Sequence, residues 1–539
     1  MNCPSSAPRG GTPRQLLLFL LFLVGICAAA VYIGAVPTRK FGHDIFFLLD
    51  NGWRVFTGQR PHLDFTSPWG PLSFLVVGAG MAAAQHSVDA IGYGNAMFAC
   101  IAGVWGYLLC RDTVPYWPRF LVCLYLALLV VSPYSLGWGP LNSSHAMFYN
   151  RYGYALLGVL MIEALPWGDG LLRGSRAELL GGVSTGAVAA FTLFLKANYF
   201  AAALLLIGAS FLWRGGVVKQ RLAGIAAGFI LATLAFLAYL QFDLGAILRD
   251  LDIAAGARAK SFSYAELGRK FSLNAMYLLF VLLLIIQSVR AKGGAGTGGR
   301  LVHGVLQGCF VFAVDMLLLC SNQQYSELPL TAIYALWVAV DVRACNGMSG
   351  RGEATPVSLG AKSTLLIGTA FFLVSFCTQL TGLAYGLVRK AAPSDLGSVA
   401  RFTEARLESL LLYDDPAEPD SNGRRYVESV NDGMRLLRLN SVSSDRVLTM
   451  DMMNPFPYAL GRPEPRGGMA AIAYNYTFSD SHRPSDQRFF GDADIVMVPK
   501  RPAAPGRMHE GLMRIYQPGL QARFRLAAES NQWFLFRRK

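Results

Sequence analysis

The sequence predicts a polytopic α-helical membrane protein with about eleven transmembrane helices and a C-terminal extracytoplasmic α/β domain. Of its 539 residues, 53% are hydrophobic and only 15% are charged, whereas soluble proteins are about 25% charged. The mean hydropathy is +0.37. The apolar residues form long runs before residue 390, and the remainder of the chain is polar. This composition excludes a disordered chain and an ordinary soluble enzyme.

Eleven apolar runs approach the roughly 20 residues that a transmembrane helix needs. They cover residues 15–36, 88–110, 118–136, 151–166, 179–195, 198–213, 221–240, 273–289, 301–320, 328–342 and 363–386. The first run follows Arg9 and Arg14 and has no clean cleavage site of small residues. We therefore interpret it as an uncleaved signal anchor whose N-terminus lies in the cytosol.

The distribution of basic residues predicts the orientation of these runs. Residues 1–390 contain 28 Lys and Arg against 16 Asp and Glu, and residues 391–539 contain 20 against 18. When the runs alternate from a cytosolic start, the basic clusters fall in cytosolic loops, and the opposite loops 137–150 and 321–327 contain no Lys or Arg. We expect a multi-pass protein of a bacterial inner (plasma) membrane, with a cytoplasmic N-terminus and a periplasmic C-terminal region.

Residues 71–85 form a shorter apolar segment that does not fit this alternation. Counting it as a span would move every later Arg cluster to the outer side. We interpret it as a helix that lies on the outer leaflet or dips into it. The first outer loop then covers residues 37–87, within a transmembrane domain of residues 1–389.

Residues 390–539 have the pattern of a small soluble α/β domain. Residues 424–440 place apolar side chains at steps of three and four, which predicts a helix. Four short apolar or alternating segments predict strands: 446–451, 493–500, 522–528 and 532–538.

Charged residues in the first outer loop come directly after the first span. Asp44 begins a candidate helix at 44–57, so it is either a helix N-cap or a general base at the lipid–water boundary. Asp50 and Arg54 follow at a spacing that also permits a simple ion pair. In a membrane protein, polar groups at the ends of spans suggest a site.

A second polar group lies at the start of the fourth apolar run, at His145, Tyr149, Asn150 and Arg151. The tyrosines also fit an interfacial aromatic belt, and His145 also fits an ordinary loop histidine. No second His or Cys stands at metal-ligand spacing, and none of the nine cysteines does so either. We therefore expect neither a zinc site nor a disulfide framework.

Further polar residues interrupt or end later runs. Lys196 lies between two apolar runs, where it either extends outward to water or binds a phosphate. Arg258 lies in a loop whose composition is also consistent with a solvated surface segment. Asn322 and Gln323 end a span, where amides bind sugar hydroxyls or cap the helix.

Together these segments resemble a known group of enzymes. The first loop combines Asp44 and Arg54 with GQRP at 58–61, DF at 64–65 and GPL at 70–72. The later segments are YNRYGYAL, LKANYF, NQQYSELPL, NPFPYALG and DADIVMVPK. The chain thus resembles polyprenyl-phosphate-sugar-dependent glycosyltransferases of the GT-C superfamily, above all bacterial relatives of the protein O-mannosyltransferase and aminoarabinose-transferase families.

The resemblance implies a GT-C-type fold and transfer of a sugar from a polyprenyl-phosphate-linked donor on the outer face of the membrane. The acceptor is an envelope glycan, lipid or protein, the anomeric centre is inverted, and Asp44 acts as general base. Some relatives use a divalent cation, and the family often has a second acidic residue after the first. Ile45 occupies that place here, so we expect no metal and no other cofactor.

The resemblance also suggests substrate-binding roles. Lys196, with one or more of Arg54, Arg151 and Arg258, would stabilise the leaving phosphate, while Trp69, Tyr149 and Tyr199 would offer faces to a sugar ring. The remaining candidates share polar side chains at these outer positions: Asp64, His145, Asn150, Asn198, Asn322 and Gln323.

The main alternative is a multi-pass transporter or flippase of a lipid-linked sugar. Such proteins commonly have internal repeats with broken helices in matching positions. The sequence shows no such pairing.

Overall fold

The computed structural model describes residues 12–539 with gaps at 40, 134–143, 168–173, 217, 259–262, 293–296, 323, 325, 347–357, 394–398, 415–422 and 505. The side chains of residues 258 and 343–346 lie outside the described part as well.

Fourteen α-helices precede residue 392 in the described part of the chain. In order, α1 to α14 are Pro13–Ile33, Gly42–Phe56, Leu72–Ala83, Ala90–Cys110, Tyr116–Val131, Phe148–Ala164, Ser175–Leu193, Ala197–Trp213, Lys219–Tyr239, Leu244–Arg258, Tyr264–Lys292, Thr297–Ser321, Pro329–Asn346 and Leu359–Ala391. Each predicted apolar run falls in one of them, as does the amphipathic segment of the first loop, in α2. The short segment 71–85 is helical as α3, which packs on α2 and α4.

Six of these helices are long and apolar enough to cross a membrane: α1, α4, α9, α11, α12 and α14. Four further helices or helical segments are apolar but shorter, at Leu72–Ala83, Tyr116–Val131, Ala197–Trp213 and Pro329–Val342. The protein is therefore a multi-helix membrane protein, and the count of eleven spans stays a prediction.

Helix α6 is the centre of the bundle, because every residue from Phe148 to Ala164 is buried. The end of the bundle where α1 ends and α2 begins is called the Asp44 end below. Since α6 runs from this end to the opposite one, its first turn contributes to any site at the Asp44 end.

Helices α7 and α9 approach each other through matched glycines. A Cβ atom at Gly182 or Gly186 would lie 2.3 or 2.1 Å from a backbone oxygen of α9, and Gly224 and Gly228 meet α7 in the same way. These pairs are spaced as GxxxG, which lets two membrane helices pack backbone against backbone.

Buried ion pairs hold the end of the bundle opposite the Asp44 end. Arg221 Nη1 lies 3.1 Å from Glu163 Oε2 and 3.3 Å from Glu178 Oε2. Arg214 donates to Glu178 Oε1 at 2.5 Å. Two of the arginines that predict a cytosolic loop are thus also paired inside the protein.

We expect a reporter enzyme that is active only outside the cytosol to be active when fused after Lys539. The reason is the concentration of Lys and Arg in the loops opposite the Asp44 end. The same fusion with a reporter that works only in the cytosol should be inactive. Activity of the cytosolic reporter would reverse the predicted orientation of every helix.

The C-terminal part contains a mixed four-stranded sheet. The strands β1 to β6 are Val399–Ala400, Leu412–Tyr413, Val447–Thr449, Ile495–Pro499, Phe524–Glu529 and Trp533–Arg538. Strand β3 is parallel to β4, and β6 is antiparallel to both β4 and β5. The four predicted strands are confirmed.

Four helices accompany this sheet, α15 to α18: Gly423–Asn440, Phe456–Leu460, Asp486–Phe490 and Gly506–Arg523. The first confirms the predicted helix at 424–440. The last was not expected from the sequence, since it contains an internal proline, Pro518.

The C-terminal part lies directly against the first outer loop. Asn51 Nδ2 donates to the carbonyl oxygen of Ala470 at 2.8 Å, and Trp53 Nε1 donates to that of Arg462 at 2.9 Å. Helix α2 is therefore held between the bundle and the C-terminal part.

Helix α10 joins the same contact through Asp250, whereas Asp243, Arg249 and Asp252 are exposed, as expected for a solvated segment. Asp250 is 1% exposed. Its Oδ2 atom accepts the backbone N–H of Ser67 at 2.9 Å and lies 3.1 Å from His62 Nδ1. A carboxylate buried this deeply needs such partners.

Candidate active site

Asp44 occupies the first turn of α2 but does not cap the helix. The N-cap residue is Phe41, whose φ of 58° is left-handed, and no side-chain cap bond is formed there. The Asp44 carboxylate instead accepts a hydrogen bond from Ser144 Oγ and lies 3.4 Å from His43 Nε2. Its side chain is 13% exposed, so the group is nearly enclosed.

Burial raises the pKa of Asp44 above its usual value, while His43 and the Ser144 hydrogen bond act in the opposite direction. The net shift is upward because removal from water disfavours the charged form. A carboxylate with a raised pKa is a stronger base than an exposed Asp, and this is the property required for taking a proton from a hydroxyl group.

Aromatic rings connect Asp44 to a buried lysine. Phe47, one turn after Asp44, has its ring centroid 4.8 Å from that of Trp69 and 6.3 Å from that of Tyr149. Lys196 Nζ lies 4.6 Å from the centroid of Tyr149. The predicted sugar-facing rings and the predicted phosphate-binding lysine are thus neighbours, within reach of the first turns of α2 and α6.

Lys196 belongs to a network of amides at the start of α8 and the end of α12. Its Nζ atom donates to Asn322 Oδ1 at 2.5 Å, and Asn198 Nδ2 donates to the same oxygen at 3.2 Å. Tyr199 donates its hydroxyl to Asn150 Oδ1 at 3.3 Å. The structure thus brings together five predicted residues: Asn150, Lys196, Asn198, Tyr199 and Asn322.

The environment of Lys196 corrects the view that it faces water. The residue is 8% exposed, because the ring of Tyr149 and the amide of Asn322 enclose it. The ammonium thus lies against an amide oxygen and an aromatic ring at the junction of α8 and α12.

A second lysine, not expected from the sequence, lies at the same junction. Lys270 Nζ donates to the carbonyl oxygens of Leu319 and Asn322, both at 3.0 Å. It thereby caps the C-terminal end of α12. Its position just before an apolar run could have identified Lys270 in the sequence, because charged residues beside membrane spans suggest a site.

Arg151 is bound inside the bundle by groups of neighbouring helices. Its Nη1 atom donates to the carbonyl oxygen of Leu129 and to Gln379 Oε1, both at 2.9 Å. Gln379 in turn donates to Glu327 Oε2 at 2.6 Å. Sequence reasoning missed Gln379, although a glutamine within an apolar span was a usable signal.

His145 has a structural environment. Its Nε2 atom accepts the backbone N–H of Val36 at 3.1 Å, and burial lowers its pKa to about 3. The ring is therefore neutral, with its proton on Nδ1, and it joins the end of α1 to the segment before α6.

Arg54 lies at the opposite end of α2 from Asp44, in contact with the C-terminal part. Its guanidinium lies 3.3 Å from both Asp50 Oδ2 and Glu464 Oε2 and donates to the carbonyl oxygen of Gly467 at 3.2 Å. The pKa of Glu464 is raised well above its usual value by burial and by the neighbouring Asp50. These contacts assign Arg54 to an interface and separate it from the Lys196 network.

Replacing Arg54 with Met should lower the free energy of unfolding by about 3–5 kcal/mol, because it leaves buried carboxyl groups without their cation. Thermal or denaturant unfolding of the purified chain measures this. The control is Arg435→Met, since Arg435 is 72% exposed and pairs with Asp432 within its own helix; its effect should stay below about 1 kcal/mol. Equal effects of the two changes would contradict the interface role.

The remaining predicted residues lie apart from this cluster or outside the described part. Asp64 accepts the backbone N–H of Arg60 at 2.8 Å and lies 3.6 Å from Arg466 Nε. The side chain of Arg258 and residue Gln323 lie outside the described residues. Within the described part, no group of three or more His, Cys, Asp or Glu residues could hold a metal ion.

No family model and no curated protein matches the chain. Among solved structures, it is similar to apo ArnT from Cupriavidus metallidurans, with a TM-score of 0.49, 13% identity and 97% of each chain covered. The structure of that protein bound to undecaprenyl phosphate gives a TM-score of 0.35 and 12% identity over 98% of each chain.

A third similar structure is the archaeal oligosaccharyltransferase AglB from Archaeoglobus fulgidus, in complex with an inhibitory peptide and a dolichol-phosphate. Its TM-score is 0.29 and its identity is 12%, over 70% of this chain and 56% of that one. The chemistry of the site has to be derived from this chain's own residues.

Proposed function

We propose that this protein is an inverting GT-C-type membrane glycosyltransferase that uses a polyprenyl-phosphate-linked sugar. The observation that carries the proposal is the arrangement at the Asp44 end. A buried carboxylate of raised pKa and a buried lysine are connected by the rings of Phe47, Trp69 and Tyr149. This set supplies a base, a cation and apolar faces for a sugar.

In the proposed reaction, the acceptor hydroxyl gives its proton to the Asp44 carboxylate. The hydroxyl oxygen forms a bond to the anomeric carbon on the face opposite the phosphate. The bond between that carbon and the phosphate oxygen breaks, and polyprenyl phosphate leaves with the electron pair. Lys196 stabilises the negative charge that develops on the leaving group, and inversion follows from the single displacement.

A lipid-facing cavity supports a donor with a long apolar chain. Its volume is about 330 Å³, and apolar side chains of α11, α13 and α14 line it, among them Phe280 and Phe371. Glu327 lies at its polar edge and accepts the hydrogen bond from Gln379, the partner of Arg151. An apolar chain in this cavity would lie beside the polar groups of the Asp44 end.

The proposed acceptor is an envelope glycan, lipid or protein that carries a free hydroxyl group on the outer face of the membrane. We propose that the protein is located in a bacterial inner membrane. No metal or other cofactor is part of the proposed step, because Asp44 and Lys196 supply the base and the cation.

The test is sugar transfer by the purified chain in detergent from a panel of labelled polyprenyl-phosphate sugars to envelope fractions. We expect release of polyprenyl phosphate together with incorporation of label into the acceptor fraction. The control reaction uses the same sugars linked to nucleotides, which should not be used. Uptake of a lipid-linked sugar into sealed vesicles without bond cleavage would instead identify the transporter.

A further inference from the structure

A second cavity lies at the end of the bundle opposite Asp44. Its volume is about 270 Å³, and it is lined by α11, α12 and α13. From Lys270, which contacts Asn322 at the Asp44 end, to Lys292 in this cavity, α11 rises by roughly 33 Å at 1.5 Å per residue. This rise matches the thickness of the hydrocarbon core, about 30 Å. The cavity therefore lies at the other membrane surface.

Basic side chains outnumber acidic ones in the lining. Lys292, Arg300 and His303 face the same cavity, against a single carboxylate, Asp341. Lys292 forms an ion pair with Asp341, and the other two basic side chains of the lining belong to α12. Gly299 and Arg300 also belong to the first turn of α12, where the helix dipole favours an anion.

An unsatisfied donor lies in the same cavity. Gln307 is 4% exposed, and its Nε2 atom has no hydrogen-bond partner among the described residues. A buried amide without a partner costs free energy. By contrast, Tyr334 and Trp337 of the lining donate to the carbonyl oxygens of Gly304 and Pro166.

The surface beside the cavity is formed by exposed apolar side chains. Val302 is 61% exposed and Leu306 is 65% exposed, both on α12 between the basic first turn and Gln307. In a membrane protein such side chains contact acyl chains. A ligand that fits both features has an anionic head group attached to apolar chains.

We propose that this cavity binds the phosphate of an anionic membrane phospholipid. The phosphate oxygens accept hydrogen bonds from Arg300 and from Gln307 Nε2, and the acyl chains lie along Val302 and Leu306. Basic pockets between transmembrane helices bind such head groups in general. The site is separate from the proposed transfer reaction and does not depend on it.

Native mass spectrometry of the full chain in detergent, with phosphatidylglycerol or phosphatidylcholine added, tests the proposal. The wild type should bind phosphatidylglycerol more tightly, and Arg300→Gln should weaken that binding by about fivefold. Gln307→Leu should also weaken it while leaving the unfolding temperature unchanged or higher, because an unsatisfied buried amide is removed. The matched control is Arg290→Gln, since Arg290 is exposed in the last turns of α11 and does not line this cavity.

Three outcomes would overturn the proposal. Equal binding of the two lipids would show that the negative net charge of the head group is not recognised. An equal loss in Arg290→Gln and Arg300→Gln would indicate general attraction to a basic membrane surface. Inorganic phosphate that competes fully with phosphatidylglycerol would identify the ligand as a free anion.

Discussion

Asp44→Asn should reduce the rate of sugar transfer by roughly 10²–10⁴, the usual contribution of a general base, while the protein stays folded. The amide has the shape of the carboxylate and still accepts the Ser144 hydrogen bond, but it takes no proton from the acceptor. Stability should be kept because the change removes a charge from a nearly enclosed position. Initial rates and unfolding temperatures of both proteins measure the two effects separately.

The matched control is Asp112→Asn, an exposed carboxylate in the turn between α4 and α5 at the opposite end of the bundle. It should transfer sugar at the native rate. Native activity in Asp44→Asn would remove Asp44 from the reaction. Asp50 and Asp64, the other carboxylates of the first loop, would then be tested in the same way.

The raised pKa of Asp44 also predicts the pH dependence of the rate. The base acts in its charged form, so the rate should fall as the pH drops through the pKa of Asp44 in the folded protein. This pKa lies above the ordinary value of about 3.9, so the loss begins at a higher pH than for an exposed carboxylate. Ser144→Ala should move the acid limb further up, because it removes a hydrogen bond that lowers the pKa.

Lys196→Met should weaken use of the donor by roughly 10- to 150-fold, the equivalent of about 1.5–3 kcal/mol for a hydrogen bond to a charged group. Methionine keeps an unbranched apolar side chain beside Tyr149 and removes only the ammonium. The fall should appear in kcat/KM for the lipid-linked donor. The KM for the acceptor should change little, because the phosphate belongs to the donor.

Lys219→Met is the control for this change, since Lys219 is exposed at the start of α9, at the opposite end of the bundle. Lys196 is buried, so its replacement also has to be compared by unfolding temperature. A variant with native stability and an unchanged kcat/KM would exclude Lys196 from phosphate binding.

The helices could be predicted from the sequence because an apolar run is a local property. Each run turned out helical, and the amphipathic segment of the first loop forms α2 as expected. Helix α18 shows the limit, since the internal Pro518 argues against a helix whose buried side chains pack with those of the sheet.

The site was predictable in residue type but not in contacts. Lys196, Asn198, Tyr199 and Asn322 were identified as polar residues at span ends, yet the sequence could not show that they meet one another. Lys196 and Asn322 are 126 residues apart. The sequence could not identify Ser144 as the hydrogen-bond donor to Asp44, because a lone serine in a loop is common.

The contact between α2 and the C-terminal part also has a consequence for biosynthesis. Trp53 and Arg462, which form one of its hydrogen bonds, are 409 residues apart. At 5–20 residues per second, a ribosome needs about 20–80 s to make that stretch. During this interval α2 has been inserted or translocated without its neighbours in the C-terminal part, so a nascent chain should complete the packing around α2 only at the end of synthesis.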